Sequence, residues 1–244
     1  MRIDPNNIGY SFAILLIVLL APTVHAGVVL NRAIVIFDDT NQTRQDVIVS
    51  NDSGSDRLFV SVEPFLVMKP GTEERELVTL SIDEDAGLLV TPNKLLIEPS
   101  GSAIVRMLNM AEPGANEVYY RVNFTPMLKP IEFEPQEGDE LDETRMQVSI
   151  ALAYQALVIV PPLEPKPLPT FARTGKTLVF TNPGNSFYLL RDGQQCSPDD
   201  PDDCLDLTSK RVYPGNEYVV ELPFDGPARY VARVFDGSKV ISVP

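Results

Sequence analysis

Few residues in this chain have the types and spacing to do chemistry. The sole histidine, His25, lies in Val24-His25-Ala26, at the end of an apolar run near the N-terminus. If that run is removed on export, no histidine is left for a triad, a general base or a metal site. Cys196 and Cys204 bracket Ser-Pro-Asp-Asp-Pro-Asp-Asp, a segment of turn formers. In an oxidising compartment, two thiols this close in sequence pair and pin a hairpin loop; two free thiols are the other reading. No histidine or further cysteine is available to complete a zinc site. The run Asp199-Asp200-Pro201-Asp202-Asp203 has charge enough for calcium but lacks the spaced ligands and glycine of a calcium loop, so a solvated loop is expected. No local arrangement points to the paired carboxylates of a glycosidase, and no Gly-rich phosphate loop occurs. The chain reads as a non-enzyme, with no catalytic residue, metal, cofactor or small-molecule substrate.

Binding chemistry has more to work with. Arg106 and Arg121 interrupt otherwise apolar strands, at 103–108 and 118–125. An unpaired guanidinium is expensive in such a setting, so each needs an anion or a carbonyl. A bidentate hold on a chain-terminal carboxylate is one solution, and an internal ion pair is the other. Segment 146–160 alternates strictly. Met146, Val148, Ile150, Leu152 and Tyr154 point one way, while Gln147, Ser149, Ala151, Ala153 and Gln155 point the other. Such a strand either closes its own sheet or offers a row of large side chains to another protein.

The elements that must position these residues are strands throughout. Residues 8–21 are apolar, Arg2 is the only basic residue before them, and Val24-His25-Ala26 suits a signal peptidase. The sequence therefore predicts a signal peptide over 1–26 and an exported chain. The formal net charge is −14 and there is no Trp, so nucleic acid is a poor partner. Apolar runs at 28–37, 46–50, 58–67, 95–98, 103–108, 118–125 and 146–160 read as about seven strands, the spacing of an immunoglobulin-like sandwich. A barrel would need a similar pattern. The proline-rich stretch 161–170 cannot pair as a strand interior and acts as a linker. Runs at 177–181, 186–191, 211–213, 218–222, 228–235 and 240–243 predict a smaller sandwich that a Cys196–Cys204 bridge would help stabilise. The expectation is an all-β chain of two domains, 27–160 and 171–244.

Several segments in order resemble the periplasmic pilus-assembly chaperones of the chaperone–usher pathway. They are Leu88-Leu89-Val90-Thr91-Pro92 with Leu95-Leu96-Ile97-Glu98-Pro99, then Ala103-Ile104-Val105-Arg106, Tyr119-Tyr120-Arg121-Val122, the strand 149–162, and Phe180-Thr181-Asn182-Pro183-Gly184-Asn185. The likeness spans nearly the whole exported chain, and order and spacing carry it more than any single motif. It implies two immunoglobulin-like domains, a periplasmic location, pilus subunits and an outer-membrane usher as partners, and a self-capping dimer as one state of the free protein. It also implies that the strand before the linker completes a subunit's unfinished sandwich, a role falling here to Val148, Ile150 and Leu152, with Met146 and Tyr154 extending the row. The best-studied branch anchors the subunit carboxylate with two basic residues. The aligned positions here are Ile34 and Leu157, which bind no anion, so Arg121 is nominated, with Arg106 as companion. That departure, the cysteine pair and Tyr119-Tyr120-Arg121-Val122 look more like the alternative, common-pilus type of branch. Asn182-Pro183-Gly184-Asn185 reads either as an interdomain tie, as in the family, or as an ordinary turn. The rival readings are a structural pilus subunit or two-domain adhesin, and a secreted enzyme or sugar-binding module.

Overall fold

The computed structural model describes residues 27–37, 43–53, 55–80, 87–112, 114–127, 151–200, 202–234 and 237–244. The expected leader and the acidic segment 131–145 lie outside them, as do Met146, Val148 and Ile150. The described secondary structure is all strand, in two sandwiches.

In the first sandwich, one sheet has the order β1 (Val28–Leu30), β3 (Arg44–Asn51), β8 (Ser102–Asn109), β6 (Leu88–Thr91). The other has β2 (Ile34–Ile36), β10 (Tyr154–Val160), β9 (Val118–Pro126), β4 (Leu58–Met68), β5 (Glu76–Thr79), with β7 (Lys94–Ile97) also on β4. Period-two alternation decides which face is buried. Val47 and Val49 of β3 and Val105 and Met107 of β8 meet Val60, Val62, Val122 and Phe124 of the facing sheet in one core. The expected single strand 28–37 is two strands in two sheets. Buried Val28 has even parity while buried Val35 and Phe37 have odd parity, because the chain steps from one layer to the other between Leu30 and Ile34.

The second sandwich sets β11 (Thr170–Thr174), β12 (Thr177–Thr181) and β16 (Glu217–Glu221) against β14 (Cys204–Leu207), β13 (Tyr188–Cys196), β17 (Ala228–Val234) and β18 (Gly237–Val243), with β15 (Lys210–Val212) also on β13. Its core is Leu178, Phe180, Tyr188, Leu190, Val212, Tyr230 and their neighbours. β13 slips register between Arg191 and Gln194. Gly193 lies in that slip, where a Cβ would meet the Tyr230 ring. Cys196 and Cys204 are cross-strand partners and form the disulfide.

Candidate functional site: a half-open strand and a basic cleft

Two demands meet on β10. Ala156, Val158 and Val160 are buried in the first core, and Tyr154 packs against its edge. Leu157 and Ile159 point the other way, into a separate cluster with Val67 and Tyr119. Tyr154 thus takes the self-packing alternative raised for its row. Leu152 has the same parity as Tyr154 and yet is 56% exposed. The core-facing side of the strand therefore runs out of its own core between those two residues. The backbone tells the same story. β2 pairs with β10 only from Leu157 to Ile159, in parallel, closed by Leu157 N–H donating to the Ala33 carbonyl at 2.8 Å. Among the described residues, Tyr154–Ala156 have a ladder partner in β9 alone.

Arg121 stands where that pairing changes. Its cross-strand neighbours are Leu157 on β10 and Phe65 on β4, and Leu157 is in turn opposite Ile34. The row Ile34, Leu157, Arg121, Phe65 lies on the outer face, since Tyr120 and Val122 on either side of Arg121 are core. Arg121 is therefore one strand away from the two positions where the resemblance calls for basic residues. It lines a cleft of about 230 Å³ whose basic residues are Arg75, Arg121, Lys210 and Arg211 and whose lining includes no acid. Burial pulls the proton affinity of Arg121 below its usual value, and the charges of Arg75 and Arg211 push the same way.

The second wall of the cleft belongs to the second domain. Tyr213 meets Tyr119 edge-on at 4.8 Å, and with Phe187 it packs on Ile159, Leu157 and Val67. Gly71, at φ +78, lets the turn after β4 approach Tyr213, whose ring any Cβ there would meet. Asn216 Nδ2 donates to the Pro70 carbonyl at 2.6 Å. Buried Glu117 spans the joint: its Oε2 accepts from the Tyr119 hydroxyl and from Phe187 N–H at 2.8 Å. Burial raises its carboxyl to about 7, against the lowering effect of these bonds and of Arg211. Arg211 stacks over the Phe187 ring at 4.7 Å.

The turn at Asn182–Asn185 does more than reverse the chain. Asn182 is buried and donates to the Ser186 and Val212 carbonyls at 2.9 and 3.0 Å. Asn185 donates to the carbonyls of Ala115 in the first domain and Glu164 in the linker, at 3.0 and 3.1 Å, and accepts from Lys166 N–H at 2.7 Å. It ties the linker to both sandwiches.

Arg106 and Arg121 are not brought together. β8 and β9 belong to opposite sheets, and each arginine points away from the shared core. Arg106 Nε lies 3.5 Å from Asp46 Oδ1, the internal ion pair considered for it. Arg32 donates to the Asp46 carbonyl. Sequence reasoning missed Arg75, Lys210, Arg211 and Glu117. Glu117 leaves a trace, a carboxylate flush against the apolar run 118–125, but the other three become visible only once the domains are docked.

Comparison with known proteins agrees with this geometry. No family model matches the chain. A CS1 fimbrial protein of Escherichia coli is 28% identical over 188 residues, 75% of this chain and 76% of that protein. The crystal structure of the class 5 fimbriae chaperone CfaA aligns with a TM-score of 0.60 at 20% identity, over 89% of this chain and 99% of that one. A chain of the Salmonella enterica SafA pilin–SafB chaperone complex gives a TM-score of 0.56 at 17% identity, over 91% and 99%. The protein has the two-domain immunoglobulin-like fold of the fimbrial chaperones, as the sequence resemblance implied.

Proposed function

We propose that the protein is an exported, periplasmic, non-enzymatic chaperone of fimbrial subunits. The carrying observation is the parity of β10: Tyr154 is packed against its own core while Leu152, in phase with it, is exposed. The row Met146, Val148, Ile150, Leu152 continues that phase and is read as the part donated to a subunit, completing its sandwich. Tyr154 is the boundary between the two uses. A subunit missing a strand exposes an apolar trench and unpaired edges, both aggregation hazards, and a lent strand covers both.

Polarity of the guest follows from β2. A partner strand on the free edge of β10 must stop where β2 begins, at Leu157. If it runs parallel to β10 it arrives with its C-terminus beside Arg121. The basic residues there attract a carboxylate and repel an N-terminal ammonium. Arg121 is the proposed anchor; Arg106, held by Asp46, is left out of the site. Delivery to an outer-membrane usher and release by another subunit's strand complete the cycle without a cofactor. The open edge also suits a second copy of the chain as a temporary cap. The likeness to chaperone-containing structures runs through both domains, which disfavours the subunit or adhesin reading.

The test is periplasmic co-expression with the major subunit encoded beside the gene. Wild type is expected to co-purify as a one-to-one complex. Ile150→Asp and Leu152→Asp should lose it while melting normally, and Arg121→Ala should weaken it about tenfold or more. Normal binding by both strand variants would sink the proposal.

A further inference from the structure

We propose that the interdomain cleft is one carboxylate-binding site owned by both domains, in which Arg211 and Lys210 of β15 join Arg121 and Arg75 around the chain end of the guest. This inference rests on Arg121 being the anchor, and adds that the first domain does not hold the anion alone.

The chain is strongly acidic, at −14, yet the cleft gathers basic residues from three separate places, β9, the β4–β5 turn and β15, with no acid in the lining. Like charges are not collected in a partly buried space without a counter-charge. Arg211 is the informative member. Its Nε is buried and has no hydrogen-bond partner, and its guanidinium rests on the Phe187 ring instead of in an ion pair. The nearest candidate counter-ion, Glu117, is already occupied: one carboxyl oxygen is taken by Tyr119 and Phe187 N–H, and the other is unpartnered too. The two side chains therefore do not satisfy each other, and a donor is left over beside the cleft.

Chemistry narrows the ligand. Val67, Tyr119 and Leu157 give the cleft an apolar floor next to its cations. Such a lining suits an anion borne on a carbon skeleton better than a bare ion, whose remaining hydration the floor would strip without replacement. Arginine favours a planar two-oxygen group, which a carboxylate supplies. A ligand gripped by both walls also favours the domain arrangement in which both walls reach it, so binding and interdomain rigidity are coupled.

The experiment follows the arginine Nε–Hε signals of the 15N-labelled exported chain, disulfide intact, by NMR. The probes are N-acetyl-glycyl-leucine with a free carboxylate, its C-terminal amide, and inorganic phosphate. Signals of Arg121 and Arg211 should move on a single isotherm with the carboxylate peptide and stay still with the amide. Arg211→Gln should weaken that isotherm about fivefold or more, and Arg211→Lys should recover part of it. Backbone spectra of both variants report whether each sandwich is intact. If Arg121 responds while Arg211 stays still, and Arg211→Gln binds like wild type, the two-domain site is overturned and the anchor reading stands. If neither arginine responds to the peptide, both fall. Saturation by phosphate with no response to the peptide overturns the carboxylate assignment, leaving an inorganic anion site.

Discussion

Glu117 sets a pH dependence that can be worked out with its sign. In the unfolded chain its carboxyl titrates at the ordinary carboxylate value; in the folded chain burial raises it to about 7. Between those values the native state holds more protons than the unfolded one. Stability therefore declines as pH rises through that window, and the loss is complete above about 7. Glu117→Gln retains an acceptor for Phe187 N–H and removes the ionisation. It is expected to flatten the slope between pH 5 and 8 and raise stability at pH 8 by on the order of 2 kcal/mol. Urea midpoints across that range check it; an unchanged slope would rule Glu117 out as the titrating group. At this scale the sequence was partly legible. Arg121 stands out because a guanidinium in an alternating apolar strand demands an explanation. Arg211 sits in an unexceptional Lys-Arg pair and gains its meaning from Phe187 and Glu117, which only docking of the domains brings near.

Among the elements, β10 separates stability from binding along one strand. Val158 is fully buried, so Val158→Ala should cost about 2 kcal/mol of stability, read from the urea midpoint. Leu152→Ala, at an exposed site, should stay within about 0.5 kcal/mol of wild type and instead weaken subunit capture. The reverse pattern would mean that Leu152 packs into its own core. Alternation made most strands of both sandwiches readable. It failed where a strand has no buried face: every residue of β5 is exposed, and β11 is nearly so. It also hid the layer change between β1 and β2. Only the parity slip from Val28 to Val35 marks that step, and a continuous apolar run masks it.

For the molecule as a whole, the two sandwiches are stabilised unequally. The smaller one carries the Cys196–Cys204 bridge, which closes a loop with a sequence separation of 8. Reduction removes a constraint on the unfolded chain worth roughly 2.5 kcal/mol for a loop of that size. Mild reductant should therefore lower the unfolding midpoint of the second sandwich and leave the first in place. Circular dichroism together with tyrosine signals assigned to each domain distinguishes this from a global loss. The two-domain plan was legible because the prolines at 161–169 punctuate the sequence. How the domains meet was not, since it depends on single contacts such as Gly71 against Tyr213 and Asn185 across the linker.

The divided use of β10 also bears on descent. Positions 156, 158 and 160 answer to neighbours within the same gene product, so drift there is offset by changes in β2, β4 or β9. Positions 146 to 152, if lent to a guest, answer to another gene, and their substitutions should track those lining the guest's groove. Across paired operons the strand is then expected to show two inheritances that switch near Tyr154. Covariation confined to one chain along its full length would argue that nothing is lent.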